Sequence, residues 1–319
     1  MQVFKDVRRE GAMNICVTGG AGFIGSHLVD RLIELGHDVL VIDNLSTGMR
    51  SFVHEDAQFI EMDVRDPKLL SVFEEFKPSI VFHEAAQTMV QSSMENPSYD
   101  CDVNLIGLIN VLDACRKVNV EQFLMPSSAA VYGDLAVLPL TEDLSGMPSS
   151  FYGLTKLTAE GYLRIYHEAF GLNTVCFRYA NVYGPRQGDG GEGGVISIFN
   201  RLIVEGKPLT VYGDGEQTRD FIYVDDVVDA NIKAMGNTSC TGIYNVSTNT
   251  GTSVNELITR FRSISGADFM VHYEDERIGD IKHSRLSNAK AERDFGFVAS
   301  TTLDEGLQKT LEYFKAHHK

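Results

Sequence analysis

The apolar run from Asn14 to Thr18 leads straight into Gly19-Gly20-Ala21-Gly22-Phe23-Ile24-Gly25, and an apolar stripe at Ile24, Leu28, Leu32 and Leu35 follows. Apolar residues three and four apart mark one face of a helix, so this stretch reads as strand, glycine-rich turn, helix. Each of the glycines at 19, 22 and 25 has a task. One makes the tight turn, one lets the backbone approach a pyrophosphate, and one lets helix and strand pack closely. The helix N-terminus then offers free N–H groups and a positive dipole end to the phosphates. Asp43 ends the next strand, 18 residues beyond Gly25. A carboxylate there accepts from both ribose hydroxyls and repels a 2′-phosphate. The following residues, Asn44-Leu45-Ser46, contain no arginine, which favours NAD over NADP.

The pattern continues. Strand candidates at 14–18, 39–43, 58–63, 80–83, 122–127 and 174–179 alternate with helical stretches. Pro67 is expected to open one such helix at its first turn, ahead of Leu70, Phe73 and Phe76. Strand and helix in turn mean βαβ units, hence an α/β fold with a Rossmann-type doubly wound parallel sheet. The texture changes near residue 181, where a glycine-rich loop at 188–194 precedes further helices near 196–204, 224–235, 254–264 and 303–314. The expected division is a dinucleotide-binding domain over 13–180 and a smaller C-terminal α/β substrate domain over 181–319. The segment 221–247, a helix and then a strand, is expected to fold back onto the first sheet.

The chain has 319 residues, within the range of two joined domains, with 43% hydrophobic and 23% charged residues, as in ordinary globular proteins. Its 28 basic and 44 acidic residues give a net charge of −16, which argues against a nucleic-acid or anionic-membrane surface. No apolar run is long enough for a membrane span, and no apolar stretch follows the charged opening residues. The five cysteines are odd in number and form no CxxC pair, so they read as structural thiols of a reducing compartment. The expectation is a cytoplasmic protein with no metal site.

Tyr152-Gly-Leu-Thr-Lys156 spaces a phenol and an ammonium by four residues, on one face of a helix. A nearby positive charge favours phenolate, giving a base able to take an alcohol proton. Tyr-x-x-x-Lys alone is common. It gains weight from Ser127-Ser128 at the exit of the fifth strand, since ligands of such sheets bind at the carboxyl ends of strands. The Ser128 hydroxyl is placed to bridge a substrate oxygen and Tyr152. Asp63-Val64, at the end of the third strand, reads either as a contact to the adenine or as a simple cap.

With these residues in view, the chain resembles the extended short-chain dehydrogenase/reductases, and within them the nucleotide-sugar epimerases similar to UDP-glucose 4-epimerase. The matching stretches, TGGAGFIGSHL, DNLSTG, DVRD, HEAAQ, SSAAVYG, YGLTK, RYANVYGPRQ, YGDGEQTRDFIYVDDV and RIGDIKHS, run from about Asn14 to the C-terminal region. The resemblance implies an NAD cofactor and a UDP-sugar substrate. It implies catalytic roles for Ser128, Tyr152 and Lys156. Along the cofactor it places Phe23, Ile24, Asn44, Ser46, Thr47 and Gly48, then Ala85, Ala86 and Gln87, with Asn104 and Tyr179 beside it. Toward the substrate it places Thr88, Asn181 and Gln187, with Arg219 and Arg277 on the diphosphate, Asp280 near the uridine ribose and Ser284 near sugar C2. Two guanidiniums can clamp a pyrophosphate within an otherwise acidic protein. The family also implies a homodimer built on helices near 99–118 and 152–169.

Relatives that dehydrate their sugar carry an Asp-Glu pair after the catalytic hydroxyl, and those that decarboxylate carry a Glu. Here these places hold Ala129 and Ala130. Without a second acid or base, the remaining route is a 4-keto sugar that turns and is reduced on its other face, a 4-epimerisation. Ser284 stands where a bulky aromatic would exclude an N-acetyl group, so UDP-GlcNAc/UDP-GalNAc are expected as substrates, with UDP-Glc/UDP-Gal. Arg186 leaves a UDP-glucuronate 4-epimerase as an alternative, beside another NDP-sugar epimerase or dehydratase of the same family. Pro126 stands where relatives often have a small or hydroxyl residue, and it removes a backbone donor at the strand end.

Overall fold

A computed structural model describes residues 11–188, 193–276 and 281–317. The first strand and helix, β1 (Asn14–Thr18) and α1 (Phe23–Glu34), bracket the glycine turn as the sequence pattern requires. Then come β2 (Asp38–Asp43), β3 (Gln58–Glu61), α2 (Leu69–Phe76) and β4 (Ile80–His83). Two short helices, α3 (Val90–Glu95) and α4 (Pro97–Cys101), precede a π-helical turn at Asp102–Gly107. After it follow α5 (Leu108–Val118), β5 (Gln122–Ser128), α6 (Phe151–Phe170) and β6 (Asn173–Tyr179). The 20-residue α6 starts where the Ser150 hydroxyl accepts from Gly153 N–H, and it stops at Gly171 in the left-handed conformation.

Two expected boundaries move, both for local reasons. β3 ends at Glu61 rather than Asp63, because the Asp63 carboxylate turns to bind the backbone and guanidinium of Arg65. α2 begins at Leu69, beyond Pro67, because the Asp66 carboxylate accepts from Lys68 N–H at 2.8 Å and makes a turn of those residues first.

Beyond β6 lie β7 (Asn181–Tyr183), α7 (Val195–Val204), β8 (Leu209–Tyr212), β9 (Thr218–Arg219), β10 (Phe221–Tyr223) and α8 (Val224–Ala234). β11 (Gly242–Val246), β12 (Thr252–Ser253), α9 (Val254–Ser265), β13 (Val271–Glu274), α10 (Ala289–Phe295) and α11 (Leu303–His317) complete the order. The main sheet has seven strands in the order β11-β6-β5-β4-β1-β2-β3, and β1 pairs in parallel with both β2 and β4. The order reverses direction at β1, which is the topological switch of a doubly wound sheet.

By internal contacts the chain divides into two interleaved units. The first holds the residues up to Ser127 with 150–177 and 231–243. Its core packs Cys16, Leu40 and Ile42 of the sheet against Phe73 of α2, Val111 and Leu112 of α5, and Leu163 of α6. The second holds 128–149, 178–230 and the residues from Tyr244 onward. There Phe199 of α7 meets Phe261 of α9 edge to face, and Gly306 of α11 lies so close to the Tyr183 hydroxyl that a Cβ would sit 2.1 Å from it. Cys16, Cys115, Cys176 and Cys240 are buried free thiols and Cys101 is an exposed one. No described helix is long and apolar enough to cross a membrane.

Candidate active site

In the first unit, Gly19 turns with φ of +71°, and a Cβ there would lie 2.5 Å from the Ala85 nitrogen. A Cβ on Gly25 would meet the Gly19 carbonyl oxygen at 2.2 Å. Only glycine lets β1, α1 and the exit of β4 come this close. Gly22 is the N-cap of α1 and supplies no side-chain cap, and no acidic residue stands in the first turn around Phe23 and Ile24. The helix end is therefore left to an outside anion.

Asp43 ends β2 and is only 8% exposed. Its Oδ2 accepts from Ala21 N–H at 3.0 Å and its Oδ1 from Leu45 N–H at 2.8 Å, so one carboxylate ties the glycine turn to the next loop. Asn44, Ser46 and Thr47 are exposed on that loop, with the Asn44 Oδ1 accepting from Ser46 N–H at 3.0 Å. The loop lies on the turn: Met49 N–H donates to the Ala21 carbonyl, and a Cβ on Gly48 would lie 2.8 Å from the same group. The residues present fit a dinucleotide, since a backbone cradle, an uncapped helix end and a strand-end carboxylate stand together in one unit.

Asp63 is engaged within the chain. Arg65 binds it through Nε and NH2 at 2.8 and 2.7 Å, Asn44 Nδ2 donates at 2.8 Å, and the Arg65 hydrogen bond holds its carboxyl well below the usual range. The same ion pair raises the Arg65 pKa. Val64 is buried beside it. Beyond β4, Ala85, Ala86 and Gln87 are half-buried and Thr88 is exposed. Asn104, in the π-helical turn, clasps Gln87 by its backbone: its Oδ1 accepts from Gln87 N–H at 2.8 Å and its Nδ2 donates to Gln87 O at 3.0 Å. Such π turns often mark functional sites.

Tyr152 and Lys156 share one face of α6, with the Lys156 Nζ 5.9 Å from the Tyr152 ring centre. Lys156 is buried and donates to the Pro126 carbonyl at 3.0 Å. Proline, which deprives the strand end of a donor, still supplies the acceptor that seats the lysine. Burial lowers the Lys156 pKa, opposed by Cys176, Glu84, Asp100 and Glu160. Glu160, one turn further along α6, accepts from the Ser127 hydroxyl at 2.6 Å. His83 at the end of β4 bonds Thr18 at 2.8 Å and is pushed down to about 3 by burial, so it is a neutral brace. Glu84 next to it has a buried Oε1 with no hydrogen-bond partner, and burial pushes it up to about 7.

The second unit carries the remaining candidates. Ser128, half-buried, begins the short turn Ala129–Val131, and its Oγ accepts from Ala130 N–H at 3.2 Å. Tyr179 is buried at the end of β6. Asn181 pairs with Phe221 across β7 and β10 and is exposed, while Gln187 Nε2 donates to Val182 O at 3.0 Å. Arg219 in β9 and the buried Ser284 lie on adjoining segments, because Ser284 N–H donates to Thr218 O at 3.1 Å. Arg277 and Asp280 lie outside the described residues.

Sequence reasoning passed over Asp220, which organises this group. It is fully buried, accepts from the Thr248 backbone and hydroxyl at 3.0 and 2.7 Å, and accepts from Leu286 N–H at 3.2 Å. Its own carbonyl receives Asn181 N–H at 2.8 Å. Its place between Arg219 and the apolar Phe221-Ile222-Tyr223 run was the available signal, since a carboxylate buried next to such a run is costly unless satisfied.

The chain matches the NAD dependent epimerase/dehydratase family over residues 15–247. It is similar to the solved structure of a UDP-glucose 4-epimerase from Thermotoga maritima with UDP-glucose, at 40% identity and a TM-score of 0.93, over 96% of this chain and 100% of that one. A Thermus thermophilus UDP-glucose 4-epimerase in complex with NAD is 38% identical with a TM-score of 0.89, over 95% and 99% of the two chains. A UDP-N-acetylglucosamine 4-epimerase from Methanobrevibacter ruminantium, in complex with UDP-N-acetylmuramic acid, is 36% identical with a TM-score of 0.91, over 96% and 99%.

Proposed function

Because the chain belongs to the NAD dependent epimerase/dehydratase family, we propose that it is an NAD-dependent UDP-sugar 4-epimerase, interconverting UDP-GlcNAc and UDP-GalNAc and also UDP-Glc and UDP-Gal. The observation that carries this reading is the pairing of Tyr152 with a buried Lys156, seated on the Pro126 carbonyl within the unit that holds the glycine cradle.

NAD, when bound, supplies the hydride acceptor and donor for the sugar carbon. The protein's own residues do the rest. Asp43 and the turn from Gly19 to Gly25 would hold the dinucleotide, and the uncapped N–H groups of α1 would serve its phosphates. The Tyr152 phenolate takes the C4 hydroxyl proton as the ketone forms, becoming the phenol, and gives it back when the sugar is reduced on its other face. Lys156 favours phenolate by its charge, and Ser128 hydrogen-bonds the sugar oxygen. Arg219, with Arg277, holds the diphosphate, and Asn181, Gln187 and Ser284 line the sugar. Ala129 and Ala130 offer no carboxylate for expelling water, which favours epimerisation over dehydration. The small, buried Ser284 supports a site that takes an N-acetyl group.

A homodimer in the cytoplasm completes the proposal. Phe151, Leu154 and Ile165 of α6 are exposed at helical spacing, as a face that pairs with a second copy would be.

The assay is direct. UDP-glucose, UDP-GlcNAc and UDP-glucuronate are incubated separately with the enzyme and the products resolved. C4 epimers of the first two, formed without net NAD turnover, are expected. A 4-keto-6-deoxy product would make the protein a dehydratase, and turnover of UDP-glucuronate alone would make it a uronate epimerase.

A further inference from the structure

Asp100 is fully buried in α4, and its carboxylate is held by three uncharged donors from three different elements. Gln87 Nε2, from the loop after β4, donates to Oδ1 at 2.7 Å. Asn104 Nδ2, from the π-helical turn, donates to the same oxygen at 3.2 Å. Thr155 Oγ1, from α6, donates to Oδ2 at 2.7 Å. Thr155 stands between Tyr152 and Lys156, and its Oγ1 is also 3.0 Å from the Tyr152 carbonyl. Gln87 is further fixed by its side-chain bonds to Met89 and by the backbone clasp of Asn104. A buried carboxylate is a costly way to fill space, and hydrogen bonds to a charged group are about twice as strong as neutral ones. Here those bonds tie α4 to the loop after β4, to the π-helical turn and to α6.

We propose that Asp100 is a positioning residue of the epimerase, locking the Tyr152–Lys156 turn of α6 to the loop after β4. This rests on the reading of Tyr152 and Lys156 as the proton-handling pair. The groups whose charge acts on Lys156 are Cys176 on β6, Glu84 at the exit of β4, Asp100 and Glu160, with His83 feeling its charge in turn. Asp100 in addition accepts from Thr155, within the turn that carries the pair.

The test uses the full-length protein with saturating NAD, and with UDP-glucose and UDP-GlcNAc as separate probes. It compares kcat, KM and the pH profile of kcat for Asp100→Asn, Thr155→Val, Thr155→Ser and Tyr152→Phe. Asp100→Asn is expected to lower kcat on the order of 10- to 100-fold with KM within about threefold, because a small misplacement acts on the reacting geometry. Both limbs of the profile should move to lower pH, since losing a negative charge makes phenol and ammonium alike easier to deprotonate. Thr155→Val should repeat the loss in kcat with the limbs in place, and Thr155→Ser should restore the wild-type rate. The Asp100→Asn/Thr155→Val double variant should be no slower than Asp100→Asn, as expected for two parts of one lock. Wild-type kcat and limbs in both single variants, with only thermal stability reduced, would overturn the proposal. If Asp100→Asn does not fold, equal kcat for Thr155→Val and Thr155→Ser overturns it. An active Tyr152→Phe would instead defeat the underlying reading, so the two failures are distinguishable.

Discussion

Tyr152 and Glu84 are the two side chains whose removal reports most directly on the site. Tyr152→Phe deletes one oxygen from a half-buried residue on a helix that Ser150 and Gly171 cap independently. Turnover should fall about 10²- to 10⁴-fold, the usual weight of a general acid–base, while NAD binding measured by fluorescence titration stays as in the wild type. Glu84 gives a pH signature of folding. Its carboxyl is raised by burial from an ordinary 4.5 to about 7, so the folded state holds that proton more tightly than the unfolded chain. Its contribution to stability is present below about 4.5 and is lost as the pH rises through about 7. His83 acts in the opposite sense: it is held neutral down to about 3, so stability is lost as pH falls below 6.5. The comparison of Glu84→Gln with wild type cancels the histidine. The melting temperature of the variant should gain on that of the wild type between about pH 4.5 and 7, and a constant difference across that window would show that Glu84 does not titrate there. Neither Glu84 nor Asp100 was legible in the sequence. A carboxylate that ends up beneath a buried lysine looks no different, in one dimension, from one that faces water.

The elements tell a clearer story. The span of α1 could be read from its stripe, and the turn ahead of it from its glycines, because both are set by neighbours within a few residues. The ends of β3 and the start of α2 could not, since Asp63 and Asp66 each divert the chain with a side-chain bond to a backbone N–H two residues on. Asp43 and the Tyr152–Lys156 pair were legible for their chemistry, but the additional role of Asp43 in holding Ala21 and Leu45 appears only once β2 is folded beside the turn. At the turn, Gly25→Ala would drive a Cβ into the Gly19 carbonyl at 2.2 Å and within 2.9 Å of Gly20 Cα, and backbone cannot give way as a side chain would. Overpacking of this kind costs about 1–3 kcal/mol, and α1 can relieve it only by leaving β1. Gly36→Ala makes the control. Its φ of +86° makes a Cβ unwelcome by roughly 1–2 kcal/mol, yet the space around it is open. Both variants should therefore lose stability in urea, but only Gly25→Ala should lose NAD affinity. Retained affinity in Gly25→Ala would mean that the turn does not hold the cofactor.

For the molecule as a whole, the net charge of −16 sets two copies against one another at long range, so any association must be driven by apolar contact at short range. The first unit offers such a contact. Phe151, Leu154 and Ile165 form an exposed stripe on α6, and a shallow groove beside it is lined by Pro97, Cys101, Leu105, Ile106 and Thr158. An isologous pair sets the same patch on both copies, so one helix face is doubled, and a stable dimer of ordinary size needs about 800 Å² per partner. Leu154→Glu and Ile165→Glu each place a charge in that face and leave Tyr152 and Lys156 unsubstituted. In sedimentation at micromolar concentration, wild type should run as a dimer and both variants as monomers. Added salt should tighten the wild-type dimer by screening its like charge, the opposite of what an interface held by ion pairs would do. The melting temperature of wild type should rise with protein concentration while that of the variants should not, because association stabilises only the folded chain. A wild-type protein that sediments as a monomer at tens of micromolar would leave this face without its partner. Variants that still dimerise would assign the interface to another surface.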